Sequence, residues 1–595
     1  MKIMKETERK TEKYDVAVIG GGLAGICCAI ASARNGANTV LIQDRPVLGG
    51  NAGSEVRMHI CGASCQGKFA NVRETGIIEE ILLENKARNP EFSYAEFDTL
   101  LWEKTRFQKN LTLYLSTALV AVKTEKNSIK SITAKRLTEE RELEIEAKIF
   151  ADCTGDGTPG YLAGAEYMFG REDRAEFGEP NAKARRDDCT MGNSLMFHAA
   201  DVGHKVNFTR PDWAYDFKDG EWTKKVQWIE INSGYWWIEV GGKELHCLHE
   251  SEKTREECLK IIYGVWDYIK NRLGDGRADS LVIDWVGSVP AKREGRRFVG
   301  AYVLNENDII NHTVFPDTIG YGGWHLDDHP VERFWYFTGL RKYDKEDKTL
   351  WHNGIYTVPY RCIYSKNIDN LFLGGRLISV THRALASTRV MATCAVLGQA
   401  AGVAAAMAAK SGCLPRDVDV KKLQKQLFRE DCYLPCTEAE TDDFARRSRV
   451  ESSSCVSGFA AENVINGRLR PIDGDENAWR AKNDGKQWLK LKFERRKIGE
   501  MRLIFDSDLN AEITQTLSDW VKAKQPAGIP ETLVKDYSVD FMSEGKLVKS
   551  LHVRDNFQRL NVLCPDVVCD SLKIVFESTN GDALVKVFEV ELYEK

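Results

Sequence analysis

The sequence predicts an α/β chain: a parallel sheet wound with helices, a mixed α+β insertion, and an all-β C-terminal part. Three observations carry that reading. The first structured residues read strand, glycine turn, helix, strand. A short apolar strand and a long Ala-rich helix return near residues 371–409. After about residue 450 the apolar residues alternate instead of recurring at helical spacing.

Residues 14–19 form a short apolar run that ends in glycines, as a buried parallel strand does. Residues 23–34 are rich in Ala, Ile and Cys and read as the following helix, and 39–42 as the next strand. Residues 111–115, 119–123, 129–134 and 143–150 read as short strands, an antiparallel meander inserted into the parallel domain. Residues 160–360 are less periodic and rich in aromatics. Residues 371–373 are again a buried strand, and 389–409 a long apolar helix. The polar stretch 441–454 marks a boundary. Beyond it, Leu489-Lys490-Leu491-Lys492-Phe493 and Leu572-Lys573-Ile574-Val575-Phe576 send apolar side chains to one face.

A chain of 595 residues is too long for one core, so two or more domains are expected. The net charge of −5, without a long basic run, argues against a nucleic-acid partner. No uninterrupted apolar run reaches about 18 residues, so no membrane span is expected. Residues 1–10 lack the apolar centre of a signal peptide, so the expected location is the cytoplasm. The 16 cysteines are then expected as reduced thiols; neither Cys61-x3-Cys65 nor Cys432-x3-Cys436 completes an iron–sulfur set.

Val18-Ile19-Gly20-Gly21-Gly22-Leu23-Ala24-Gly25 holds G-x-G-x-x-G between a strand and a helix. This is the Rossmann-type dinucleotide fingerprint. Gly20 permits the turn, Gly22 lets the backbone approach a pyrophosphate, and Gly25 lets helix and strand pack closely. The anion would rest on the helix N-terminus. The second strand ends Leu41-Ile42-Gln43-Asp44-Arg45; Asp44 by its carboxylate or Gln43 by its amide is the ribose candidate. Further glycine turns follow at Leu48-Gly49-Gly50-Asn51, Thr154-Gly155-Asp156-Gly157 and Gly374-Gly375-Arg376. An extended dinucleotide needs contacts from such distant segments, which favours FAD over NAD.

The chain resembles the FAD-dependent oxidoreductase family related to fumarate reductases and glutathione-reductase-type flavoproteins. The resemblance covers about residues 14–435. It rests on the glycine motifs, on Arg293-Glu294-Gly295-Arg296-Arg297, on Val358-Pro359-Tyr360-Arg361, and on residues 373–402. That last stretch holds Thr381-His382, Arg389-Val390-Met391 and Leu397-Gly398-Gln399-Ala400-Ala401-Gly402. Gln43 departs from the Glu common in such proteins. The resemblance implies an FAD-dependent oxidoreductase domain over 14–440. Its FAD-binding segments are about 14–190 and 360–435, with a substrate or cap region about 190–360. Cofactor contacts are expected from Gly20, Gly22, Leu23, Ala24, Gly25, Gln43, Asp44, Arg45, Gly49, Gly50, Asn51, Thr154, Gly155, Asp156, Gly375, Arg376, Gln399 and Ala400.

Ten of the 14 tryptophans lie between Trp213 and Trp351. Most are expected to fill a cap core, with one or two reaching a ligand. His325 and His329 have i, i+4 spacing, but Gly322, Gly323 and Pro330 argue for a loop, so no metal site is expected. His329 resembles the family's Asp-x-His-Pro segment and is kept as a substrate-site candidate. His382 is the expected proton-exchanging group. Arg389 is expected to hold an oxyanion or carboxylate, and Arg361 to orient substrate from the cap side.

Residues 450–595 resemble the galactose-binding-like (discoidin or coagulation-factor type C) family. The matching pieces are residues 461–467, Trp479, 487–491, 537–539 and 587–593. The resemblance implies a jelly-roll β-sandwich, expected to fold separately from the flavin domain. The expected activity is hydride transfer between flavin and a small polar organic substrate, with a carbohydrate or derivative as the class these features suggest. The alternatives are fumarate-reductase-like reduction of an activated C=C bond and, outside catalysis, a carbohydrate-binding or scaffold protein with a structural flavin. Homo-oligomerisation stays open.

Overall fold

The computed structural model describes residues 9–218, 230–342, 349–352, 354–437, 441–472 and 474–594. Trp222 and Trp228 of the tryptophan-rich stretch, residues 1–8 of the N-terminus and residues 438–440 at the expected domain edge lie outside them.

The fold is mixed α/β, with one parallel-strand sheet and several antiparallel sheets. The first strand, β1 (Arg9–Ile19), pairs in parallel with β2 (Thr39–Ile42), and β2 with β3 (Leu111–Tyr114). On its other side β1 pairs in parallel with β6 (Arg141–Asp152). The N-terminal half of β6 pairs antiparallel with β5 (Ser128–Arg136), which pairs with β4 (Thr117–Glu125). Its C-terminal end pairs in parallel with β7 (Leu371–Leu373). The meander is therefore β4, β5 and β6; residues 111–114, expected within it, join the parallel edge instead. Strands flanked by helices on both faces must be apolar throughout, and all four residues of β2 are buried.

Helix α1 (Leu23–Arg34) follows β1 and packs against α6 (Met391–Ser411) at backbone distance. Added Cβ atoms at Gly398 and Gly402 would stand 2.2 and 2.1 Å from the carbonyl oxygens of Ala24 and Cys28. The helix expected over 389–409 is α6, which starts at Met391, and a separate short helix precedes it. α5 (His382–Thr388) ends at Arg389, and Val390, in an extended conformation, begins α6. The break turns Arg389 and Val390 toward the interior cavity described below. α6 is long and apolar enough to cross a membrane by length and composition, and most of it is buried within this fold.

The inserted region centres on α4 (Ser251–Asn271), whose apolar face meets Phe197, Tyr235, Trp237, Phe334 and Trp335 in a separate core. Helix α3 (Tyr94–Arg106) packs on β3, and α2 (Ile77–Arg88) packs on α1, α3 and α6.

After residue 448 the chain forms a five-stranded and a four-stranded antiparallel sheet. Trp479 and Phe505 from one meet Phe576 and Tyr537 from the other, with ring centroids 5.4–6.4 Å apart. This part is joined to the rest by buried charge. Arg559 ion-pairs with Asp431 at 2.8 Å, and Arg470 donates to the carbonyls of Asn71 and Arg73 and to the Thr75 hydroxyl.

Candidate active site

One cavity of about 590 Å³ runs from the glycine turns to the inserted region. Its glycine end is built from main chain. Gly20, at φ +105°, makes the turn out of β1, and Gly25 lies so close to it that an added Cβ would stand 1.8 Å from its carbonyl oxygen. Gly25 thus serves packing and does not line the cavity. Gly20, Gly22, Leu23 and Ala24 do line it. The N-terminus of α1 has no side-chain cap and no acidic residue in its first turn, and a Cβ at Gly22 would meet open space. Free N–H groups, a positive helix end and room for close approach suit a pyrophosphate.

Gln43, Asp44, Arg45, Gly49, Gly50, Asn51, Thr154, Gly155, Asp156, Gly375 and Arg376 also line this end. Gln43 directs its Oε1 to the Gly21 N–H at 2.7 Å, so the amide braces the glycine loop and Asp44 is the free carboxylate there. Asp156 accepts from Lys292 at 2.6 Å and Arg376 at 3.1 Å; burial opposes its charge, but these cations hold its pKa below the usual carboxylate range. Segments from five places in the sequence thus converge along one elongated cavity, which fits FAD.

Besides Gly25, two more expected cofactor contacts lie elsewhere. Gln399 accepts from the Ile77 N–H at 2.8 Å and donates to Glu430 at 3.0 Å, while Ala400 is wholly buried; both face the interior side of α6. The residues that α6 does present to the cavity are Met391 and Cys394.

The other end is built from side chains. Tyr235, Trp236, Trp237 and Trp324 wall it. Of the described tryptophans in that stretch, three therefore reach the cavity, while Trp266 and Trp335 fill the cap core. A charged chain crosses this end. Arg389 donates to the Asp327 carbonyl at 2.9 Å, Asp327 faces His329 Nε2 at 2.9 Å, and His329 Nδ1 faces Glu239 at 2.7 Å. Glu239 is also 3.3 Å from Arg293 and 3.6 Å from Arg333. Burial would raise the Glu239 pKa, but Arg293, His329 and Arg333 bring it down to about 2. Asp327 is likewise held well below its usual value: burial is outweighed by His329, His325 and Arg389. Burial, with Arg293 nearby, lowers His59 to about 4 and leaves it neutral. The Arg389 Nε is buried and makes no hydrogen bond.

His382 does not line the cavity. It is 3% exposed, with Nδ1 3.0 Å from Glu294 and Nε2 3.1 Å from Asp328. Burial disfavours its charge, yet the two carboxylates raise its pKa to about 10. It is a structural imidazolium, not a group that exchanges protons near neutrality. Arg361 also lies outside, in a two-pronged pair with Asp317 at 2.9 and 3.2 Å, which corrects the expectation that it orients substrate. Arg389 and His329 are in place. His325 and His329 sit in a loop, as the glycines and Pro330 require. The sequence reading did not single out His59, Glu239 or Met391 for this site; no local spacing links them.

The FAD dependent oxidoreductase family model matches residues 15–427. The chain belongs to the FAD-dependent oxidoreductase family. Its cofactor is FAD, and the family and the glycine-lined cavity agree. No curated protein matches the chain. Several solved structures resemble about a quarter of it. The lectin domain of Lectinolysin complexed with Lewis B antigen is 15% identical over 26% of this chain and 99% of its own, with a TM-score of 0.20. The family 32 carbohydrate-binding module of Streptococcus pneumoniae EndoD is 14% identical over 26% and 100%, with a TM-score of 0.20. The family 32 module of C. perfringens NanJ in complex with galactose is 14% identical over 25% and 96%, with a TM-score of 0.18.

Proposed function

We propose that this FAD-dependent oxidoreductase oxidises a small polyhydroxylated compound, a carbohydrate or derivative. The observation that carries the reading is the continuity of one cavity, glycine-lined at one end and walled by Tyr235, Trp236, Trp237 and Trp324 at the other. Flat aromatic faces pack on the C–H faces of a sugar ring, and charged edges hold its hydroxyls. FAD supplies the hydride-accepting chemistry when bound. The chain's own residues orient substrate and handle the proton. Arg389 is braced by Asp327 and presents its remaining N–H groups to an oxygen of the substrate. His329, held between Asp327 and Glu239, positions a proton at the cavity wall. The two antiparallel sheets are read as a jelly-roll sandwich.

A second reading draws on the three arginines. Arg293, Arg333 and Arg389 all line this end, and a planar guanidinium fork would suit the carboxylate of an unsaturated acid being reduced. One anaerobic experiment separates the two. Under the first reading, a panel of sugars and polyols bleaches the oxidised flavin. Under the second, unsaturated mono- and dicarboxylic acids reoxidise the dithionite-reduced enzyme. If neither set changes the flavin spectrum, both readings fail.

A further inference from the structure

The oxidoreductase part does not enclose this cavity alone. Ser518, Trp520 and Val521, from the C-terminal antiparallel part, also line it. Their backbone is firmly held. Ser518 caps the short helix Asp519–Ala523 and also donates from its hydroxyl to Glu230 at 3.2 Å. The Trp520 N–H donates to the same carboxylate, and Asp519 accepts from Asn232 at 3.0 Å. Just upstream, Leu517 is 8% exposed in an apolar cluster with Tyr94, Met196, Met58 and Trp236. Thr514 both accepts from the Ile60 N–H at 3.1 Å and donates to the Ile60 carbonyl at 2.9 Å. Glu230, Met58 and Trp236 themselves line the cavity, so the segment is docked on the cavity wall.

The Trp520 side chain contrasts with that anchoring: it is 44% exposed. Lys524 places its ammonium over one face of the indole, 3.2 Å from the ring centroid. Among the described residues, the other face has no aromatic partner. A large apolar ring kept open on a fixed backbone forgoes burial that a ligand could supply.

We propose that Trp520 is a specificity-determining residue of the active site, so that the C-terminal part is a working wall of the enzyme. Its indole packs on the C–H face of the substrate opposite the Trp236 wall and closes that end of the cavity. The ligand class, a polyhydroxylated ring or chain, rests on the function proposed above; the wall itself does not.

The test uses the full-length, FAD-loaded enzyme with Trp520→Ala, Trp520→Leu and Trp520→Phe. FAD content and melting temperature are measured first, and they stay at the parent level because the backbone anchors are untouched. Iodide quenching of the bound flavin's fluorescence then reports how open the cavity is, with no substrate needed. It rises in Trp520→Ala and returns toward the parent in Trp520→Phe. With the panel compound that reduces the flavin fastest, KM rises about tenfold in Trp520→Ala while kcat holds within about twofold. Trp520→Leu keeps bulk without a flat face, so it shields the flavin yet still raises KM; it also serves if the alanine variant fails to fold. If quenching and KM both match the parent in a flavin-replete variant, the proposal is overturned. If no panel compound reduces the flavin, the substrate reading fails while the quenching result still decides the wall.

Discussion

The two ends of the cavity are made of different material. At the glycine end the groups facing the phosphates are main-chain N–H groups of residues 20–24, where a side chain at Gly22 would occupy the ligand's place. At the other end every working group is a side chain, delivered by residues 58–59, 230, 233–237, 293, 324–333, 389 and 518–521. The first kind of site constrains residue type at fixed spacing along one strand–turn–helix unit. The second constrains only which distant segments meet.

Two glycines three positions apart, Gly22 and Gly25, make the sharpest test of this contrast. Gly25 faces backbone, with 1.8 Å to the Gly20 carbonyl oxygen for any added Cβ. Gly22 faces open space, with φ −69° and ψ 173°, a conformation any residue adopts. Gly25→Val should cost at least about 3 kcal/mol by overpacking and take folding and flavin together. Gly22→Leu should cost about 1 kcal/mol at the helix start yet abolish flavin retention, because its side chain fills the pyrophosphate position. Urea unfolding and FAD released on denaturation check both. Flavin retained by Gly22→Leu would mean the ligand's phosphates lie elsewhere.

The same contrast explains what the sequence disclosed. The strand–helix–strand start, β7 and the alternating C-terminal strands were legible because buried strands and amphipathic strands leave short-range patterns. So were Gly20, Gly22 and the turns at 49–51 and 154–156, which need glycine or small residues for backbone reasons. Gln399 and Ala400 misled because a small-residue motif on α6 also serves helix packing: Gly398 and Gly402 approach α1 so closely that the face between them is spent on that contact. Trp520 left no signal at all, since its role depends on how an all-β region docks some 130 residues after Arg389.

His382 and His329 compare two histidines that each lie between two carboxylates. His329 and Asp327 line the cavity, with Glu239 buried behind them; the His382 pair is sealed from it. Replacing His382 by Gln removes the cation between Glu294 and Asp328, leaving them only Arg297 at 3.5 Å and Arg383 at 2.8 Å, and should cost about 3 kcal/mol. The cost has a pH signature. The folded pKa of about 10 lies above the ordinary value of 6.5, so the stabilisation is fully present below about pH 6.5 and is lost as pH rises toward 10. The gap between parent and His382→Gln in urea unfolding should therefore be widest in mild acid and narrow above neutrality. A gap that is constant from pH 6 to about 10 would show that the histidine is not held as a cation.

Arg361 marks the smallest expected effect, and its smallness is the point. The Val358-Pro359-Tyr360-Arg361 segment suggested a guanidinium reaching into the cap side of the site. Instead Pro359 ends a strand, Tyr360 is buried with its hydroxyl donating to the Pro415 carbonyl, and Arg361 turns outward to Asp317. Its side chain is 41% exposed, so solvent screens the pair even though two N–H groups meet the carboxylate. Such pairs contribute about 1 kcal/mol or less. Arg361→Ala should thus hold a full complement of FAD, melt within a few degrees of the parent, and reduce at the parental rate with any compound the panel identifies. Arg389→Ala, from the cavity wall, should slow that reduction while leaving FAD content unchanged. If Arg361→Ala slowed reduction as much as Arg389→Ala does, the guanidinium would have to leave Asp317 and reach the cavity during turnover, and the division between the two arginines drawn from this structure would not hold.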